Sequence, residues 1–236
     1  MPERRQFLIS CEHGGNQVPP RYQQLFFGQD GLLNSHRGYD PGTLQLGMAL
    51  SQGLQAPLIK SEVTRLLVDL NRSLSSRSLH SDLLASLSDA EKEQILNLYY
   101  HPYCSQVERK ARQLLDSGCQ LVHLSVHSFT PELDGRIRNA AIGLLYDPSC
   151  QSETRFCNEW GRLLKARLPQ LKIRYNYPYR GIADGLSRTL RREFKDQDYL
   201  GIELEVNQLL LNGTNRFPAE LQVGLLETLQ DLCPAD

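Results

Sequence analysis

Short hydrophobic runs, separated by glycine, proline and polar clusters, alternate along this chain between strand-like and helix-like lengths. The first run predicts a strand over residues 6–12, ending at a Gly14-Gly15-Asn16 turn. Pro19-Pro20 opens a short helix through Phe27, and Asp40-Pro41-Gly42 precedes a helix over Thr43–Leu54. Ala56–Lys60 reads as a second strand, and Leu66–Leu70 as another strand or extended segment. The serine-rich stretch 73–88 predicts a surface loop. Ser88 and Glu91 then fit a capping box that starts a helix running through Tyr100. Pro102 bends that helix or opens the next, which reaches about Leu115, with Gly118 suited to a C-cap. Strands follow over 121–126 and 140–146, a helix over 150–168 ended by Pro169, and strands over 173–175 and 201–206. Residues 218–233 have the spacing of a closing helix. Strands alternating with helices predict an α/β fold with a mostly parallel or mixed sheet. No repeat or low-complexity linker divides the chain, so residues 1–236 are expected to form a single domain.

The formal net charge of −1 favours neither a nucleic acid nor a membrane surface as partner. The apolar runs are too short to span a bilayer, and the first residues lack the apolar core of a signal peptide. A cytoplasmic location is therefore expected. The six cysteines form no CxxC pair and read as reduced thiols. Cys11 adjoins the first histidine, but a small buried residue is its commoner role.

Candidate chemistry gathers where strands stop. His13 follows the first strand-like run and His127 follows Leu121–Val126. Ligands of open α/β sheets bind outside the carboxyl ends of the strands. Two imidazoles there, with carboxylates nearby, point to a metal site. Asp40 is a candidate third ligand, with Asn16 and Glu12 as weaker ones. On an extended strand Glu12 and His13 would face opposite ways. In Gly201-Ile202-Glu203-Leu204-Glu205-Val206, two carboxylates alternate with aliphatic residues, so Glu203 and Glu205 share one strand face. Either a solvated face or a general base at a metal-activated water accounts for them. Asn71 and Arg72 end a compact polar cluster suited to substrate binding, although an Asp69–Arg72 structural pair explains it equally well. Arg138 and Arg180 are also available for an anionic substrate. Tyr100-His101-Pro102-Tyr103 fits either a pocket lining or packed tyrosines at a kink.

These motifs occur in a definite order: Glu12-His13-Gly14-Gly15-Asn16 with Val18-Pro19, Asp40-Pro41-Gly42, Val68-Asp69-Leu70-Asn71-Arg72 and Tyr100-His101-Pro102-Tyr103, then His127-Ser128-Phe129-Thr130, Gly143-Leu144-Leu145-Tyr146-Asp147 and Gly201-Ile202-Glu203. As an ordered set spanning about Ile9 to Leu210, they resemble the N-formylglutamate amidohydrolase family. That family resembles zinc carboxypeptidases and aspartoacylase-type deacylases. The resemblance implies a three-layer αβα, phosphorylase/hydrolase-like fold with a mixed central sheet. It also implies hydrolysis of the amide of a small anionic N-acyl amino acid with one zinc ion. By the resemblance His13 and His127 are zinc ligands, and Glu203 falls at the general-base position. The chain departs from the pattern in two places. Asn16 stands where carboxypeptidases carry the glutamate of His-x-x-Glu, which moves the third ligand to Asp40. Glu205 stands where the commoner pattern has arginine, which disfavours a second substrate carboxylate. A peptidase or peptidoglycan-fragment amidase on the same scaffold, or a non-catalytic binding protein, are the rival readings.

Overall fold

Alternation of polar and apolar side chains shapes the sheet. The structure, a computed structural model, describes residues 4–233. Its strands are β1 (Arg5–Cys11), β2 (Leu58–Lys60), β3 (Gln120–Phe129), β4 (Glu132–Leu133), β5 (Arg136–Ile137), β6 (Ile142–Leu145), β7 (Ile173–Tyr175) and β8 (Tyr199–Asn207). Six of them form one sheet in the order β2-β1-β3-β8-β6-β7, and β4 and β5 pair as a small separate hairpin. β2, β1, β3 and β8 run parallel, whereas β6 is antiparallel to β8 and carries β7 beside it. The helices are α1 (Asp30–Leu33), α2 (Thr43–Leu54), α3 (Asp89–Ile95), α4 (His101–Leu115), α5 (Gln151–Arg167), α6 (Leu186–Glu193) and α7 (Ala219–Leu232).

Two cores flank this mixed sheet, which gives the three-layer α/β fold. On one face Leu46 and Leu50 of α2, Phe156 and Trp160 of α5 and Leu225 and Leu229 of α7 cover Ile9, Val122, Leu124, Ile202 and Leu204. On the other, Tyr103 and Val107 of α4 and Leu186 and Leu190 of α6 join Leu67, Val68 and Leu84 over Leu8, Leu121 and Tyr199. Parallel strands covered on both faces normally read as continuous hydrophobic runs. Here the second face turns polar towards the strand ends. His123, Ser125 and His127 of β3 lie between Ser10 of β1 and Gly201, Glu203 and Glu205 of β8. The register aligns Ser10 with Ser125 and Glu203 in one row, and His127 with Glu205 in the next. Side chains in such rows share one face.

The expected elements are present with shifted ends. β3 continues through Phe129 because the β8 ladder extends to Asn207, so His127 lies inside the strand, not after it. Leu66–Leu70 forms no strand. A turn closed by Leu67 N–H to the Thr64 carbonyl begins it, and Leu66, Leu67 and Val68 are all buried, so the run never alternates. Ser88 and Glu91 make the reciprocal capping bonds, and a five-residue π-helical segment, Leu96–Tyr100, links α3 to α4. α6 went unpredicted because its eight residues bury only Leu186, Ser187 and Leu190.

A buried ion pair ties α5 and α6 to β8. Glu153 Oε1 accepts from Arg191 Nε and from the Gly201 amide, both at 2.8 Å, while Glu153 Oε2 accepts from the Asp147 amide at 2.7 Å. Arg191 also donates to the carbonyls of Gly181 and Gly201. Removing one partner of such a pair leaves a buried charge uncompensated. Glu153→Ala is therefore expected to destabilise the protein by about 3–5 kcal/mol, read as a lower midpoint in urea denaturation. A midpoint shift equivalent to less than about 1 kcal/mol, the size of a surface pair, would contradict this role.

Candidate active site

Two loops and a strand bring the central residues to the carboxyl end of the sheet. After β1 the chain runs against residues 61–63, with Gly14 N–H donating to the Ser61 carbonyl and Gln17 N–H to the Glu62 carbonyl. A Cβ on Gly14 or Gly15 would lie 2.9 or 2.6 Å from these two carbonyl oxygens, so the glycine pair permits the approach. His13 is thereby turned inward, 1% exposed. Asp40 is anchored by its amide to the His13 carbonyl at 2.9 Å, and its own carbonyl accepts from Thr43 Oγ1 at the start of α2. His127 comes from within β3.

One oxygen joins the three. Asp40 Oδ2 lies 3.3 Å from His13 Nδ1 and 2.9 Å from His127 Nδ1. The far side of each ring is occupied. His13 Nε2 donates to Asp69 Oδ1 at 2.7 Å. The Ser125 hydroxyl donates its single proton to Glu12 Oε2 at 2.7 Å, so towards His127 Nε2, 2.8 Å away, it accepts. Both rings then carry a proton on Nε2 and direct Nδ1 at Asp40. Carboxylates behind ligating histidines fix the tautomer and ring orientation in this way. Arg65 spans the acids, Nη1 to Asp40 Oδ1 at 3.2 Å and Nη2 to Asp69 Oδ2 at 2.6 Å.

The electrostatics are those of a cation site. Burial opposes the charge of Asp40, but His13, His127 and Arg65 hold its carboxyl well below the usual range. Burial likewise opposes charge on Asp69, which Arg65 and His13 keep ionised. Burial lowers His127, yet Asp40 and Glu12 outweigh it and push the imidazole up to about 10. A field that holds a proton so firmly also attracts a metal ion, which binds by displacing that proton. His13, Asp40 and His127 each offer a ligand atom, all within 4.8 Å of one another. Two nitrogens and one carboxylate oxygen, with a pocket open beside them, fit a divalent ion of the zinc type.

These residues form one wall of a pocket of about 160 Å³. Asn71, Arg72, Arg138, Glu203 and Glu205 also line it, together with His36, Tyr179 and Asp184. Asn71 is held by its Oδ1 to the Leu186 amide and places Nδ2 3.3 Å from His127 Nε2. Burial raises Glu203 above the ordinary carboxylate range, His127 notwithstanding. Burial, reinforced by Asp40 and Glu203 against the pull of His127, pushes Glu205 up to about 8.

Other candidates lie elsewhere. Asn16 donates to the Leu33 carbonyl and to Asn34, pinning the loop after α1, and does not line the pocket. Arg180 is exposed outside it. Cys11 faces the opposite core beside Thr43, and burial raises its thiol far above a reactive range. Glu12 sits behind His127 between Ser125 and Tyr103. Tyr100 and Tyr103 brace the Arg72 carbonyl and Glu12 from behind. Asp69 pairs with Arg65 and His13, not with the Arg72 side chain. Sequence reading missed Arg65 and the supporting role of Ser125. The Arg65–Asp69 spacing of four was the available signal for the former; the latter needed the β3 register.

No helix among the described residues is long and apolar enough to cross a membrane. No match was found among curated proteins. Among solved structures, the chain is similar to a gene product of Agrobacterium tumefaciens, with 26% identity, 98% of this chain and 92% of that one covered, and a TM-score of 0.78. It also shares the fold of the N-formylglutamate amidohydrolase from Ralstonia eutropha JMP134, at 17% identity, the same coverages and a TM-score of 0.66. The family model for N-formylglutamate amidohydrolase matches residues 5–211. The chain belongs to the N-formylglutamate amidohydrolase family, whose members are hydrolases acting on C–N bonds.

Proposed function

We propose that this amidohydrolase uses zinc to cleave the amide of a small N-acyl amino acid. The observation that carries the reading is the convergence of His13 Nδ1, Asp40 Oδ2 and His127 Nδ1 beside a pocket that also holds Glu203 and arginines. The pocket's size supports a small substrate over a glycan fragment. The six cysteines are all free, which supports a reducing, cytoplasmic setting.

His13, Asp40 and His127 would hold the ion, which when bound supplies Lewis-acid activation of the acyl carbonyl and of water. Glu203 takes the proton of the attacking water and returns it to the leaving nitrogen. Its burial raises its proton affinity, which strengthens it as a base. Arg138 binds the substrate carboxylate, and Arg72, fixed by the carbonyls of Asn71 and Asp184, faces the developing oxyanion. Asp69, Ser125 and Glu12 keep both imidazoles in the ligating tautomer.

Hydrolysis of formyl, acetyl and dipeptide amides, followed by release of the free amine, tests the activity. Cleavage of simple N-acyl amino acids is expected; turnover of peptides alone would favour a peptidase. Glu203→Gln is expected to keep its metal and lose about 10²–10⁴-fold in kcat. Loss of metal instead would make Glu203 a ligand. A general base works only when ionised, and burial raises Glu203, so kcat/KM is expected to fall on acidification at a pH above the ordinary carboxylate range. An acid limb at or below that range would remove Glu203 from the role.

A further inference from the structure

The arginines and carboxylates of the pocket pair off incompletely. Arg65 is committed to Asp40 and Asp69. Arg72 Nη1 donates to two backbone carbonyls, those of Asn71 at 2.9 Å and Asp184 at 3.1 Å. Among the described residues Arg138 has only neutral partners: Nη1 meets Thr130 Oγ1 and Tyr179 Oη, and its guanidinium lies over the Tyr179 ring. With Arg72 facing the oxyanion in the reading above, Arg138 is the cation left to receive one substrate carboxylate.

Glu205 presents the opposite case. It is 5% exposed and lines the pocket, yet its Oε2 has no hydrogen-bond partner among the described residues. It stands outside the set of converging metal donors. Asp40 and Glu203 are its acidic neighbours, and the nearby cations, Arg65 and His127, already bond Asp40. A buried carboxylate oxygen without a donor is costly in a folded protein, and each such group calls for an explanation. A hydrogen-bond donor brought by the ligand supplies one, whereas a second ligand carboxylate would add a further negative charge to an acidic corner.

We propose that Glu205 selects the substrate side chain. Ionised in the presence of an N–H donor, it accepts a hydrogen bond from an amide or an ammonium group, and the acidic corner it shares with Asp40 and Glu203 rejects a second carboxylate, while Arg138 takes the single α-carboxylate. The substrate class is an N-acyl amino acid with one carboxylate and an N–H-bearing side chain. This rests on the N-acyl amino acid reading of the pocket.

The test is the affinity of the zinc-loaded full chain carrying Glu203→Gln, which is expected to keep its metal without turning these ligands over, for N-acetylglutamine, N-acetylglutamate and N-acetyllysine, measured by calorimetry. The first two are nearly isosteric and differ by one charge. N-acetylglutamine or N-acetyllysine is expected to bind at least about tenfold tighter than N-acetylglutamate, since a site built around one polar group rejects the wrong partner strongly. The tighter of the two shows whether the donor is amide or ammonium. Glu205→Gln is expected to bring the ratio to within about threefold of unity. Equal or tighter binding of N-acetylglutamate with Glu205 in place overturns the proposal. An unchanged ratio in a folded, zinc-containing Glu205→Gln overturns it too. Parallel turnover assays of the wild-type chain separate the two readings. Preferential hydrolysis of N-acetylglutamate defeats this proposal alone. A tenfold binding preference with no amide cleaved supports the assignment of Glu205 and defeats the hydrolase reading of the site.

Discussion

A single carboxylate oxygen, Asp40 Oδ2, holds the centre of this protein together. Two buried imidazoles approach it from separate elements, His13 from the end of β1 and His127 from inside β3, with ring centroids 5.2 Å apart. Burying imidazoles side by side is tolerable only where negative charge compensates any proton or cation they share. Asp40 supplies that charge, and Arg65, bridging it to Asp69, keeps the surrounding acids from repelling one another. The Asp40-Pro41-Gly42 turn positions the carboxylate by two backbone contacts, to His13 and to Thr43.

The sheet accommodates this polarity by confining it to one face. Val122, Leu124 and Val126 of β3 and Leu200, Ile202, Leu204 and Val206 of β8 pack into an apolar core. The odd positions between His123 and His127, and between Gly201 and Glu205, carry the polar rows. Those rows are internally satisfied below the pocket: His123 sits between Tyr199 Oη at 2.7 Å and Ser10 Oγ at 2.8 Å, and Ser125 links Glu12 to His127. Within these rows, Glu205 Oε2 at the pocket is without a partner among the described residues. A residue that breaks the local rule where a ligand is expected is the kind of exception that functional sites show.

Much of this was legible in the sequence. The periodicities located α2, α5, α7 and all six strands of the main sheet, because long amphipathic helices and alternating strands carry their own signal. Leu66–Leu70 misled, since a buried loop and a short strand offer the same apolar run. For the site, His13, Asp40 and His127 were visible as polar residues at turns and strand ends, and the structure brings them together. Their supports were not. Asp69 reaches His13 across 56 residues and Ser125 acts through strand register, and neither leaves a local pattern, while Arg65, which reaches Asp40 across 25 residues, left only its four-residue spacing from Asp69. Asn16 looked like a site residue because it follows His13 closely. The Gly14-Gly15 turn carries it away to the loop after α1.

Crystals of the protein purified without chelator, with diffraction recorded on both sides of the zinc absorption edge, test the central claim most directly. The account predicts one anomalous peak per chain, coordinated by His13 Nδ1, Asp40 Oδ2 and His127 Nδ1. A peak held instead by Glu203 and Glu205, a peak bonded to Nε2 of either histidine, or a pocket that stays without metal after zinc is added would contradict it.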